Sequence, residues 1–235
     1  MAGGIGNLPM EDAFMKIKLL LAGIIFSLSQ IAHASYDMHS INLPDEAKAQ
    51  IDTKQTIADI NEKKKKGYLE RISDKYEYLN NIQNRIQYES QANIKSTKIR
   101  KKISDVMTSS KLKSVPSHVK TATLGYAPVG TFNQGFGWTG ITEIFKSKDA
   151  GICQFSHFDL KASNGGYSLS EKDERRDVNG KYTFVEVTGK MNQGFDYEVD
   201  WFEELNMYTL NCINKKFSSN FMHHVINLAK KIDKG

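Results

Sequence analysis

The sequence predicts an α+β protein: an N-terminal helical hairpin or coiled-coil arm, then a mostly antiparallel β domain closed by a C-terminal helix. Three observations predict it. Apolar residues recur at steps of three and four before Pro116, short runs of β-branched and aromatic residues alternate with polar ones after it, and a single apolar stripe closes the chain. The 235 residues are 40% hydrophobic and 25% charged, which excludes collagen-like, mucin-like and wholly disordered chains.

Met15 to Ala34, MKIKLLLAGIIFSLSQIAHA, has the three parts of a secretory signal peptide. Lys16 and Lys18 form the basic region, Leu19 to Ile31 the apolar region, and Ala32-His33-Ala34 the cleavage site. The apolar run falls short of the ~20 residues that span a bilayer. Residues 1–34 are therefore read as a signal peptide behind an upstream start extension, because Glu11 and Asp12 precede the basic region. Cleavage near Ser35 delivers the chain to the periplasm or beyond, with no transmembrane segment left. An uncleaved anchor is the competing reading.

Residues 35–114 form the expected arm. Between Ser35 and Lys120 there are 17 Lys and Arg against 11 Asp and Glu, whereas Thr121 to Gly235 carries 13 against 14. The positive excess is densest at Lys63, Lys64, Lys65 and Lys66 and at Lys98, Arg100, Lys101 and Lys102. These residues are the candidate basic interaction surface, with a solvated helix face as the plainer explanation. Pro44 with Asp45-Glu46 suits a first helical turn, and four lysines before Gly67 suit a helix end. Leu69, Ile72, Tyr76, Leu79, Ile82 and Ile86 then continue the pattern, and no Pro or Gly interrupts Tyr68 to Ser109. One rod of ~60 Å, or a hairpin, follows at 1.5 Å per residue. Pro116 ends it, and residues 115–120 are the expected hinge.

Residues 121–235 form the expected disulfide-held domain. Its candidate strands are Ala122–Tyr126, Ile141–Lys146, Ile152–Leu160, Tyr182–Thr188, Tyr197–Phe202 and Met207–Ile213. Ser163-Asn164-Gly165-Gly166 and Val178-Asn179-Gly180 are turn signals, and Glu171 to Asp177 reads as a charged loop. Asn220 to Lys231 reads as a helix packed on the sheet.

Cys153 and Cys212 are an even pair in an exported chain, and a disulfide is their simplest use. A thiol hydrolase using either cysteine with a histidine is the less favoured alternative. Zinc held by Cys153, His157, Cys212 and His223-His224 is disfavoured by the spacing, and adjacent helical histidines point ~100° apart. No metal and no cofactor is expected, since no phosphate loop, dinucleotide fingerprint, H-E-x-x-H or G-x-S-x-G occurs.

Tyr126, Phe132, Asn133, Gln134, Phe136 and Trp138 surround Gly135, Gly137 and Gly140. Aromatic faces, amides and close backbone suit a glycan or peptide, and a core edge with two turns explains the same residues. Gly130 to Phe136 recurs at an offset of 59 as Gly189 to Phe195, the offset that also separates the cysteines. Two similar turns account for this more simply than a duplication. Alternation sets Glu198 and Asp200 on one strand face, read as solvent-facing rather than as a glycosidase pair.

The reading that follows is an exported, non-enzymatic interaction protein of a cell-envelope assembly, docking or self-associating through its arm. A glycan- or peptide-binding module built on the Trp138 loop is the alternative. An anionic surface is a further expected partner of the basic arm, and nucleic acid is not expected because the arm's tyrosines form no stacking platform.

Overall fold

Alternation of apolar and polar residues gathers the strands into one sheet. The computed structural model describes residues 53–84, 106, 108, 112–164 and 175–235. Helix α1 (Thr53–Lys66), strand β1 (Leu69–Glu70) and helix α2 (Asp74–Asn80) come first. Strands β2 (Ala122–Asn133), β3 (Gly137–Ser147), β4 (Gly151–Asp159), β5 (Arg175–Val178), β6 (Lys181–Lys190), β7 (Gly194–Glu203) and β8 (Asn206–Asn214) follow, then helix α3 (Ser219–Lys234). The sheet order is β1-β6-β7-β8-β4-β3-β2, with β5 also paired to β6. Among the described strands only β1 runs parallel to its neighbour, and an isolated parallel bridge joins Thr108 to Trp138. The six expected strands and the closing helix are all present, each longer than its sequence signal except β4, which is the same length and shifted by one residue.

Read along its width, the sheet is two three-stranded meanders, β6-β7-β8 and β4-β3-β2, laid edge to edge. Among the described residues only the β4–β8 pair joins them. Cys153 faces Cys212 across that seam, with sulfurs 2.00 Å apart and Cα atoms 4.2 Å apart. The offset of 59 residues thus relates cross-strand partners, not equivalent positions. The two hairpin turns correspond instead through Gly137 and Gly194, which re-enter the sheet at φ 88° and 106°. Asn179 and Gly180, both at positive φ, make the tight turn expected between β5 and β6.

One face of the sheet is the core. Phe145, Phe155, Phe195, Tyr197, Trp201 and Leu210 are buried with Val225, Leu228, Ala229 and Ile232 of α3. The disulfide lies in the same layer, between Phe145 and Tyr197. Ser218 caps α3 by accepting the Phe221 N–H at 3.2 Å. Trp201, Phe155 and Tyr208 form a cluster of mutually stacked rings, and the Trp201 indole N–H donates to Asp233 near the helix end at 3.0 Å.

Within the described residues, the expected helical run from Tyr68 is interrupted by a short strand before a helix begins at Asp74. Leu69 and Glu70 pair with Thr188 and Gly189, and the Arg71 N–H donates to the Gly189 carbonyl at 3.1 Å. A new helix then starts at Asp74, where the Ser73 hydroxyl accepts the Tyr76 N–H. Leu79 and Ile82 are fully buried against Ile144, with Leu124, Ile152 and Ile213 beside them. The apolar residues that resemble a helix–helix seam therefore meet the second face of the sheet, while Ile72 is 66% exposed. Residues 85–105, most of the expected coiled coil, and the signal peptide lie outside the described residues.

Residues 115–120, expected as a hinge, are packed against the sheet. Val115 and Val119 are buried in the core. Buried Glu143 accepts the Val115 N–H at 2.9 Å and the Thr123 hydroxyl at 2.8 Å, and it pairs with Lys120. The expected charged loop at 171–177 is in part strand, because β5 takes in Arg175 to Val178.

Tyr76 clamps the β6–β7 turn. A Cβ on Gly194 would run into its ring, and the φ of 106° disfavours any other residue. Gly194→Ala is expected to lower stability by about 2 kcal/mol and to raise hydrogen exchange in α2. A thermal melt with exchange measured on residues 74–82 checks this; unchanged protection of α2 would show that the clamp holds nothing.

Candidate functional site

The expected ligand loop is the projecting tip of the β2–β3 hairpin. Asn133 pairs with Gly137 and Phe132 with Trp138, leaving Gln134, Gly135 and Phe136 as the turn. Phe132 is 51% exposed, Phe136 is 37% exposed, and the Phe132 and Trp138 ring centroids are 5.4 Å apart. Tyr126 does not join them. It packs near Ile141, Val106 and Leu112, and alternation along β3 puts that group on the opposite face from Trp138. The Asn133 carbonyl accepts the Gly135 N–H at 2.8 Å, so this side chain builds the turn itself.

The second face of the sheet carries carboxylates. Asp196, Glu198 and Asp200 alternate along β7, and Glu186 on β6 stands directly opposite Glu198. The sequence reads this row as solvent-facing, and the structure corrects that: Asp196 and Asp200 are each 7% exposed. Asn211 on β8, 1% exposed, donates its amide to Glu198 at 2.8 Å and to Asp196 at 3.2 Å. Lys63 of α1 reaches Glu186 at 2.5 Å. Burial, reinforced by Glu198, pushes the carboxyl of Asp196 up to about 7, and Asp200 rises for the same reasons. Asp196 and Asn211 are the participants that sequence reasoning missed. The available signal was a third acidic residue in the same period-two row.

A depression of about 450 Å³ lies beside the start of β8, lined by Leu112, Lys113, Ser114, His157, Asn206, Tyr208 and Gly235. His157 is its most chemical residue. Its Nδ1 accepts the Lys113 N–H at 2.7 Å, which leaves Nε2 protonated and donating to the Asn206 carbonyl at 2.8 Å. Burial holds the ring below its ordinary pKa. Both nitrogens are committed to the fold, so the ring offers neither a base nor a metal ligand in this arrangement.

The remaining expected residues are dispersed. Cys153 and Cys212 are joined to each other, which leaves neither as a thiolate for a nucleophilic or metal-binding role here. His223 and His224 lie on exposed positions of α3. Among the described residues no group of three or more His, Cys, Asp or Glu could hold a metal ion, and no helix is long and apolar enough to cross a membrane. Lys66 is held by Glu62 and Glu70, while Lys64 and Lys65 are exposed. Lys98, Arg100, Lys101 and Lys102 lie outside the described residues. No protein family, curated protein or solved structure matches the chain.

Proposed function

We propose that the protein is an exported, non-enzymatic interaction protein of the cell envelope that docks through its basic helical segment. The observation that supports this best is how α1 is held. Lys63 is tied to Glu186 and Lys66 to Glu70, and Arg71 is tied back to Asp59, so the helix is fixed to the sheet edge from one side. Lys64 and Lys65 are exposed on a helix with little apolar surface of its own, a charged ridge on a rigid base. Acidic partners in the envelope suit such a ridge. The disulfide across the sheet suits an oxidising compartment.

In-cell amine crosslinking, followed by mass spectrometry of what co-purifies under non-reducing conditions, tests the reading. A reproducible set of envelope proteins joined through Lys64 or Lys65 is the expected result. Self-crosslinks alone would reduce the proposal to self-association, and no crosslink at either lysine would overturn it.

A further inference from the structure

From Thr121 to Thr142 the sequence contains no charged residue. Those 22 residues take in β2, the turn and the first half of β3, and they are bounded by Lys120 and Glu143, which pair with each other. Strand β4 pairs with β3 only as far as Gly140–Phe158, and Gly130 to Thr139 extends past that pair, where Thr108 bridges Trp138. At 3.3–3.4 Å per residue, three residues of each strand carry the turn about 10 Å further out. Phe132 and Phe136, two of the four large apolar side chains exposed among the described residues, are on this tip. Trp138, half-buried, stands beside Phe132.

The tip also meets part of its own polar demand. The Asn133 side chain accepts the Gly135 N–H, and the Thr139 hydroxyl accepts the Thr131 N–H at 2.9 Å. That matters where water is scarce, because an unpaired backbone group entering an apolar medium costs several kcal/mol. A convex, uncharged, aromatic wedge needs either a matching hollow or a fluid one. A glycan site would instead bring polar side chains together, and here the amide oxygen of Asn133 is spent on the turn.

We propose that this tip inserts into the interfacial layer of a phospholipid bilayer. Phe and Trp favour that layer, which admits side chains to about 5–10 Å without any preformed groove. Phe132, Phe136 and Trp138 enter, and the neutral strands behind them meet the headgroups. This contact is independent of the basic segment proposed above. It persists in high salt and on uncharged lipid, whereas binding through Lys64 and Lys65 fades as ions screen it.

The chain contains two tryptophans, and Trp201 is fully buried, so a change in tryptophan emission reports Trp138. The full chain is titrated with phosphatidylcholine vesicles at low salt and at about 0.5 M NaCl, where screening is strong. The expected result is a blue shift of Trp138 emission at both salt concentrations. Phe132→Ser and Phe136→Ser should each weaken the partition about fivefold, as expected for removing a half-exposed ring from the buried set. Both side chains are exposed, so the fold survives, and all other lipid-active segments are common to the three chains. No shift, a shift indifferent to both substitutions, or a shift seen only with anionic vesicles at low salt would each overturn the proposal. So would an emission change elicited by a soluble glycan or peptide and not by vesicles.

Discussion

Replacing Cys153 and Cys212 together by alanine is expected to lower the unfolding free energy by about 4 kcal/mol, from the chain entropy of a loop closed over some 60 residues. The position of the crosslink makes this a large effect. Its sulfurs sit at the one strand pair that joins the two meanders among the described residues, inside the core layer between Phe145 and Tyr197. Removing it leaves β4 and β8 to hold the halves together by hydrogen bonds and packing alone. Urea unfolding of the oxidised protein and the double variant measures the difference, and the reduced parent chain should follow the variant. A loss below about 1 kcal/mol would mean that the seam needs no clasp.

The second large effect is pH-dependent. Asp196 has a folded pKa of about 7 against an ordinary 3.8, because burial and Glu198 oppose its charge. Between those values the folded chain binds more protons than the unfolded one, so this carboxyl makes stability fall as pH rises from about 4 to about 7. The full penalty, on the order of 4 kcal/mol, applies above pH 7 and vanishes below pH 4. Asp200 acts in the same direction. Among the described groups facing them, Glu186 and Glu198 add to the effect and Lys75 opposes it at Asp196. Asp196→Asn is therefore expected to be markedly more stable than the parent at pH 8 and about equal to it at pH 4. His157, whose lowered pKa works the other way below pH 6.5, is common to both proteins and cancels from the difference. Unfolding curves for the two chains that stay parallel from pH 4 to pH 8 would remove the argument.

Strands β2, β3, β4, β6, β7 and β8 and the last helix were legible because each repeats a period over at least five residues; the four residues of β5, mostly charged, were not. Strand β1 was not, since two residues have no period, and Leu69 falls where a helical step of three also places it. Leu79 and Ile82 were recognised as part of one apolar seam read as coiled coil or hairpin; the sheet that covers them was not, because an apolar helix stripe fits a sheet as well as another helix. Residues 115–120 looked like a linker from Pro116, yet Glu143, far along the chain, binds them down. At the acidic row, alternation correctly put Glu198 and Asp200 on one side. Burial of that side depends on elements from elsewhere in the chain, which no local pattern reports. The aromatic cluster was found as a group, but register separates Tyr126 from Phe132 and Trp138.

The single seam between the meanders also sets an order of assembly. Strand pairs inside each meander join residues at most 24 apart, whereas the seam joins residues 47 to 59 apart. Contacts that are close in sequence form first, so β2-β3-β4 can be complete before β8 has emerged. During that interval β4 is an open edge bearing the Cys153 thiol, able to pair with the same half-sheet of another molecule. The arrival of β8 removes the edge and the thiol in one event. Exposure to misassembly is therefore confined to the time it takes to deliver the chain from the end of β4 at Asp159 to the end of β8 at Asn214.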